Sequence, residues 1–190
     1  MTRGQRSTNT IYCTWSYRSK LPPSTRSQFQ DLDHFLRTLC SSARSQLFLV
    51  APYLSPTGLK TLRNSIANSV QNGAWVRLIT GDLTDEAGFN RRAIKALVSG
   101  EEGAIIRPRL RILAGSASMP ELLHAKIILC DNTKGYLGSA NLSQSALDKN
   151  FEVGVALASG QVRALERLFS VFEAQGLIED CSERVLFGIA

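Results

Sequence analysis

Short apolar runs alternate along this chain with longer segments whose apolar residues recur at helical spacing. The runs that read as strands are QLFLVAPYL, AWVRLITG, RPRLRILAG, ELLHAKIILCD, KGYLGSA, NFEVGVALA and SERVLFGI. Strands that alternate with helices favour an α/β fold, because each helix covers one face of the sheet. We therefore predict a mixed β-sheet sandwiched by helices, with one domain in the chain.

The intervening segments predict the helices. From Ser27, the pattern FQDLDHFLRTLC is helical, and TDEAGFNRRAIKALVSG reads as a helix with Thr84 as its N-cap. Ser143 is a plausible cap for a short helix, and the residues DNTKG predict a turn between two strands. The other two helices are SPTGLKTLRNSIANSVQNG and QVRALERLFSVFEAQG.

Positive charge is concentrated at the N-terminus. Residues 1–30 hold 5 basic residues and no acid, whereas the rest of the chain holds 17 basic and 16 acidic residues. We interpret residues 1–26 as a flexible basic arm and residues 27–190 as the folded domain. The arm either contacts nucleic acid by charge and stacking or is a solubilising leader. Its aromatic residues are Tyr12, Trp15 and Tyr17.

Membrane and metal signals are missing from the sequence. It has no apolar run of about eighteen residues, which argues against membrane insertion. The N-terminus lacks the apolar region of a secretory signal. The four cysteines are scattered without metal-ligand spacing, so we expect a reducing, cytoplasmic environment and no structural metal. They are Cys13, Cys40, Cys130 and Cys181.

The run HAKIILCD places polar groups inside an apolar stretch. Side chains alternate faces along a strand, so His124 and Lys126 project on the same face, about 7 Å apart. Burying them without partners costs several kcal/mol, so they either line a site or lie on a solvated face. Asp131 has the opposite parity and is expected to fix a turn or strand by hydrogen bonding.

Two later stretches supply groups that suit a phosphate. In GYLGSANLSQ, Gly138 allows close backbone approach, and Ser139 and Asn141 share one face. A hydroxyl and an amide beside the ammonium of Lys126 make a compact set of phosphate donors.

In NFEVG, Asn150 and Glu152 share a face of the next predicted strand. The carboxylate of Glu152 is placed to accept a hydrogen bond from one ring nitrogen of His124. That bond would fix the tautomer and leave the other nitrogen as a nucleophile or base.

Together these residues read H-x-K-x4-D-x6-G-S-x-N, followed by N-x-E. This pattern resembles the signature of the phospholipase D superfamily, and every fixed position matches. The resemblance covers roughly Phe29 to Phe172, including an opening strand–helix–strand. It implies the α-β-α sandwich of that family. The chain is similar in size to the short bacterial members with one such motif, which tend to be nucleases.

The resemblance also implies roles for the residues. His124 would attack phosphorus and form a phosphohistidine, while Glu152 orients it. Lys126, Ser139 and Asn141 would hold the non-bridging oxygens. Asp131, Gly138 and Asn150 would be structural members of the motif. The family's chemistry uses no metal and no cofactor.

The family mechanism needs two histidines, and this chain has one H-x-K. Its only other histidine, His34, is followed by Leu36 where the motif has lysine. The second motif must then come from another chain, and we expect a homodimer that shares one active site.

The substrate is not fixed by fold or motif. A nucleic acid is favoured by the chain's size and by its basic, aromatic arm. The alternatives are a phospholipid hydrolase and a nucleic-acid-binding subunit of a larger complex. Partners such as a helicase, in bacterial defence or DNA processing, are a guess from similar short proteins. Tyr53 either approaches the cleft or packs, and three alternating arginines form either a basic row beside the cleft or a solvated face. These are Arg107, Arg109 and Arg111.

Overall fold

Nine strands form one mixed sheet in the computed structural model, which describes residues 10–14, 19–81, 83–85, 87–116 and 123–188. The order across the sheet is β2-β1-β8-β7-β6-β3-β4-β5-β9. The pairs β1/β2, β3/β4 and β4/β5 are parallel, and the others are antiparallel. The strands are β1 (Ile11–Cys13), β2 (Phe29–Asp31), β3 (Gln46–Ala51), β4 (Trp75–Thr80), β5 (Leu110–Gly115), β6 (Ile127–Cys130), β7 (Lys134–Gly138), β8 (Val153–Leu157) and β9 (Ile178–Asp180).

Helices cover both faces of the sheet. None of those in the described ranges is both long and apolar enough to cross a membrane. They are α1 (Pro23–Arg26), α2 (Leu32–Ser42), α3 (Pro56–Gln71), α4 (Phe89–Leu97), α5 (Gly100–Ile106), α6 (Ser159–Ala174) and α7 (Ser182–Phe187). A 3₁₀ turn spans Arg107–Arg109, and a π-helical turn spans Ser145–Lys149.

Alternation along the strands builds two cores. In β3, Leu47 and Leu49 face the larger core, whereas Phe48 and Val50 face the smaller one. The larger core takes residues from α2 to α5 and from α7, and the smaller one takes residues from α6. Two apolar layers on a mixed sheet confirm the predicted α/β sandwich.

The N-terminal segment differs from the predicted arm. Ile11–Cys13 is a strand that pairs with β2 on one side and β8 on the other. Tyr12 stacks on Phe35, with ring centroids 3.8 Å apart, so its ring packs within the fold. The folded domain therefore begins before residue 27. The predicted nucleic-acid contacts of Trp15 and Tyr17, and those of the basic residues Arg3, Arg6 and Arg18 of the same segment, concern positions outside the described residues.

Two predicted helix starts are wrong. Phe29 belongs to β2, and α2 begins only at Leu32, where the Asp31 side chain accepts from the backbone N–H of His34 at 2.8 Å. Thr84 caps no helix, since α4 begins at Phe89. The Asp85 carboxylate bonds the N–H of Ala87 at 2.9 Å, and such a local turn competes with helix formation.

Two predicted strands also differ. The stretch RPRLRILAG becomes strand only from Leu110, because Pro108 lies in the 3₁₀ turn. The stretch SERVLFGI is not a strand: it forms α7, which ends before Gly188 at a φ of 68°. A left-handed glycine is a common helix stop, and the last strand is β9, just before α7.

The three arginines of RPRLR do not form a row on a strand. Arg107 donates to the carbonyl oxygen of Leu186 at 2.7 Å, and Arg109 donates to that of Gly73. Arg111 pairs with Asp180 at 2.6 Å and with Glu173 at 2.5 Å. The predicted basic row beside the cleft is therefore wrong, since these guanidinium groups are engaged elsewhere in the fold.

A glycine pair makes room for one buried aromatic ring. Gly138 of β7 lies opposite Gly154 of β8, and the Tyr136 ring occupies the space that a Cβ at either glycine would take. Tyr136 is almost completely buried in the larger core. The ring therefore packs across the end of β7 and the start of β8.

We expect Gly154→Ala to lower the free energy of unfolding by about 1–3 kcal/mol, because the added methyl group overlaps the Tyr136 ring. Urea unfolding measures the change. Gly160→Ala in α6 is the matched control, since no atom lies within 4 Å of its Cβ position. The control is expected to be neutral or stabilising by up to about 1 kcal/mol. Equal stability of the two variants would contradict the packing argument.

Candidate active site

Strand register brings the three motif segments to one edge of the sheet. His124 and Lys126 precede β6, the GSAN segment begins at the last residue of β7, and Asn150 and Glu152 precede β8. Because β6, β7 and β8 run antiparallel in turn, the start of β6, the end of β7 and the start of β8 coincide. The N–H of Gly138 donates to the carbonyl oxygen of Lys126 at 3.2 Å, which ties the first two segments together.

His124 and Lys126 contact each other directly. The Lys126 Nζ lies 2.8 Å from His124 Nδ1, 3.1 Å from Nε2 and 2.8 Å from the His124 carbonyl oxygen. An ammonium only donates, so the ring nitrogen that it meets must carry a lone pair. The imidazole is exposed and the ammonium is buried beneath it.

Burial lowers the pKa of Lys126, because desolvation disfavours the charged form, and the negative charge of Glu152 opposes the shift. Glu152 is itself buried. Lys126 and Glu152 are thus both buried at this edge of the sheet, and the charge of Glu152 partly offsets the cost of burying the ammonium.

The Glu152 carboxylate accepts hydrogen bonds from two other residues of the motif. It accepts from the Ser139 hydroxyl and, at 3.2 Å, from the Asn150 side-chain amide. The expected hydrogen bond from His124 to Glu152 is not formed between these described residues. Asn150 therefore supports the carboxylate, while Ser139 links the second motif segment to the third.

A residue outside the motif holds the Glu152 backbone. The Thr14 hydroxyl accepts from the N–H of Glu152 at 2.9 Å, and the N–H of Thr14 donates to the Glu152 carbonyl oxygen at 3.1 Å. Thr14 is buried and follows β1 directly. Sequence reasoning missed it, because it lies in the segment interpreted as an arm and carries no motif.

The side chain of Tyr136 holds the backbone of the GSAN segment. The Tyr136 hydroxyl oxygen accepts from the N–H of Ala140 at 3.3 Å. Burial raises the pKa of Tyr136 to about 12, so the hydroxyl stays protonated near neutral pH. The Asn141 Oδ1 is buried without a hydrogen-bond partner. Asn141 is thus held between Ala140 and Leu142, both buried, with a polar group still to satisfy.

Asp131 lies at the opposite end of the β6–β7 hairpin. Its carboxylate accepts from the N–H groups of Arg44, Ser45 and Gln46 at 2.8–3.0 Å, and from the Ser45 hydroxyl at 2.8 Å. Burial alone would raise its pKa, but these hydrogen bonds outweigh burial and lower it. The placement agrees with the structural role expected for Asp131.

Tyr53 and His34 lie in different places relative to the site. The Tyr53 ring meets His124 edge to face, with centroids 6.3 Å apart, so Tyr53 does approach the candidate site. His34 is exposed on α2. One chain therefore brings one histidine to this edge of the sheet. Within the described ranges, no group of three or more His, Cys, Asp or Glu residues is placed to hold a metal ion.

Comparisons with known proteins place this arrangement in a family. Residues 36–173 match the family model described as cardiolipin synthase, PLD-like domain. No curated protein matches the sequence.

Three solved structures share the fold. Nuc from Salmonella typhimurium, a phospholipase D family member, aligns with a TM-score of 0.62 at 17% identity, over 90% of this chain and 97% of Nuc. NucT from Helicobacter pylori aligns with a TM-score of 0.58 at 16% identity, over 85% of this chain and 92% of NucT. Phosphatidylserine synthase from Haemophilus influenzae Rd KW20 aligns with a TM-score of 0.54 at 18% identity, over 78% of this chain and 36% of the synthase.

We expect Asp131→Asn to lower the free energy of unfolding at pH 7 by about 1–2 kcal/mol, because an amide nitrogen replaces one acceptor in a partly exposed cluster. Asparagine tolerates the left-handed backbone at this position, where φ is 52°. The lowered pKa means that the Asp131 contribution is complete above the ordinary value of 3.8 and is lost as pH falls through the folded-state pKa.

Urea unfolding of both proteins between pH 7 and pH 3 measures the difference. Asp148→Asn, which removes an exposed carboxylate from the π-helical turn, is the control and is expected to change stability by less than about 0.5 kcal/mol. A wild-type advantage over Asp131→Asn that grows as pH falls would contradict the assignment.

Proposed function

This chain belongs to the phospholipase D superfamily, and on that premise we propose that it is a phosphodiesterase that cleaves nucleic acid. The reaction proceeds through a phosphohistidine, without a metal ion, in an active site that two copies of the chain share. The single observation that carries the proposal is the cluster at the sheet edge: an exposed imidazole in direct contact with a buried ammonium, beside a buried carboxylate.

The proposed reaction has two steps. In the first, a ring nitrogen of His124 attacks phosphorus, the bond to the leaving oxygen breaks, and His124 of the partner subunit gives that oxygen a proton. In the second, the partner's His124 takes a proton from water, and the water oxygen displaces the ring nitrogen. The products are an alcohol and a phosphomonoester, and both histidines return to their starting states.

The other residues act on the phosphate. A neutral imidazole has one lone pair, so the Lys126 ammonium uses two of its three donors on His124, one on that lone pair and one on the carbonyl oxygen. The donor on the ring is released when His124 attacks, and it and the third donor are then available to the non-bridging oxygens. The half-buried Asn141 amide supplies a neutral donor, and the Ser139 hydroxyl, which donates to Glu152 in this structure, would turn to the phosphate when substrate binds. These groups stabilise the negative charge that develops on the phosphoryl oxygens.

An exposed apolar surface supports the shared site. Leu137, Val155 and Ile11 lie side by side across β7, β8 and β1, with Val153 next along β8. We call these four residues the open sheet face. Val153 adjoins Glu152, so the surface reaches the candidate site. Ile11, Leu137 and Val153 are exposed and Val155 between them is half-buried, and a contiguous apolar surface of this kind is typical of protein interfaces. A two-fold contact near this surface brings two copies of His124 together.

A lipid substrate is the second candidate. It is favoured by the name of the matching family model and by the shared fold of phosphatidylserine synthase. This chain spans about a third of that synthase but nearly all of Nuc and NucT. The end-to-end match with the two Nuc-type structures supports nucleic acid. A role in defence against foreign DNA or in DNA processing, with a partner such as a helicase, belongs to the same proposal.

We expect the purified protein to cleave DNA or RNA in excess EDTA and His124→Ala to abolish cleavage, because no other group in the chain replaces the nucleophile. Gel electrophoresis of single- and double-stranded substrates measures the products, and phosphatidylcholine and phosphatidylglycerol vesicles serve as the lipid arm. His34→Ala is the matched control and keeps activity. Lipid turnover without nucleic-acid cleavage would replace the proposal by its alternative.

We expect Leu137→Arg to yield a folded monomer that no longer cleaves, because a charge on the open sheet face opposes its burial against a second copy. Leu168→Arg on α6 is the matched control, since the two leucines are 42% and 43% exposed. Light scattering gives the mass and the gel assay gives the activity. A wild-type monomer that cleaves would rule out the shared site, and an active dimer of Leu137→Arg would rule out the open sheet face as its interface.

A further inference from the structure

Tyr53 is an exposed aromatic residue beside the candidate nucleophile. It is 53% exposed, yet its ring meets His124 edge to face at an interplanar angle of 80°. An edge-to-face contact uses only part of a ring's surface and leaves the remainder open to solvent. An aromatic ring in this place offers flat apolar surface next to the reacting phosphate.

The backbone around Tyr53 is held from the α4 side. The Asn90 side-chain amide accepts from the N–H of Leu54 and donates to the carbonyl oxygen of Pro52, both at 2.9 Å. The buried Thr80 hydroxyl donates to the Ala51 carbonyl oxygen at 2.8 Å. The residues on either side of Tyr53, Pro52 and Leu54, are therefore both hydrogen-bonded to the Asn90 side chain.

The same segment is tied to the GSAN side of the site. The N–H of Ser55 donates to the Leu142 carbonyl oxygen at 3.2 Å, and the Ser55 hydroxyl accepts from the N–H of Gln144 at 3.0 Å. Gly58 packs so closely on Leu142 and the residue after it that a side chain would overlap their backbone. Tyr53 is thus presented from a rigid support that also carries Asn141.

A fixed, exposed aromatic ring suits one class of ligand. Nucleobases stack on aromatic side chains irrespective of sequence, and the stacking is strong because both partners are flat and weakly hydrated on their faces. In a duplex, each base face is already covered by its neighbours. Only an unpaired base has a face free for Tyr53, and a base is linked through one sugar to the phosphate that His124 attacks.

We propose that Tyr53 is a stacking platform for an unpaired nucleobase beside the scissile phosphate, which makes single-stranded nucleic acid the substrate of this site. The inference rests on the proposed nuclease function. It assigns Tyr53 to substrate binding, so that its loss acts on KM. A tyrosine that merely packed against His124 would act on kcat through the position of the imidazole.

The test compares two single-stranded oligonucleotides of one length, one intact and one with a central tract of abasic residues. Tyr53→Ala is expected to raise KM for the intact strand by about 5- to 150-fold, the range for loss of one base–aromatic stack. The rise is expected to be much smaller for scission within the abasic tract. Tyr53→Phe keeps the wild-type KM, because it keeps the ring.

Trp75→Ala is the matched control. Trp75 is 56% exposed and begins β4, at the end of the sheet opposite to Tyr53, so both substrates keep their wild-type KM. The inference is overturned by an equal rise in KM on both strands, by a change in kcat alone, or by a wild-type KM that is lower for duplex than for single strand. A wild-type protein that cleaves no nucleic acid removes the proposed function itself and this inference with it.

Discussion

The candidate site depends on the register of two consecutive antiparallel pairings, β6 with β7 and β7 with β8. Each motif segment lies just outside one of these strands, and all three meet at one edge only in this register. A slip by one residue would turn every side chain of a strand to the opposite face. The Tyr136 ring occupies the space beside Gly138 and Gly154, which lie opposite each other in this register, and Asp131 secures the far end of the hairpin.

The two buried charges of the site show why this register matters. Lys126 and Glu152 come from segments before different strands, and each is buried. An isolated buried charge is unfavourable, and the charge of Glu152 favours the protonated form of Lys126, so the register that brings the two segments to one edge lowers the cost of burying both. Their partners differ: the ammonium contacts His124, and the carboxylate contacts Ser139 and Asn150. The histidine is the exposed member, which the proposed attack on phosphorus requires.

Much of this arrangement could be predicted from sequence, and the limits have physical causes. The alternation of strands with helices predicted the α/β sandwich. The position of Asp131 where the strand meets its turn separated it from His124 and Lys126, although these two residues precede β6 and do not lie on it. The ends of the helices were harder to predict, because a turn closed by a side chain, such as that of Asp85, competes with helix formation. The strand at Ile11–Cys13 carries only three residues, too few for a periodic pattern. Thr14 holds the Glu152 backbone only because β1 pairs with β8, so the sequence around Thr14 could not predict this contact.

The Thr14–Glu152 contact has a consequence for how the protein acquires its site. Its two residues are 138 positions apart in sequence, and the strand that carries Thr14 pairs directly with β8. Contacts between such distant segments close a long loop and form slowly. A nascent chain that has released β1 to β7 from the ribosome still lacks β8, the strand that joins the β1–β2 pair to the rest of the sheet. Assembly of the site therefore waits until nearly the whole chain has been synthesised, which delays any hydrolytic activity until the fold is complete.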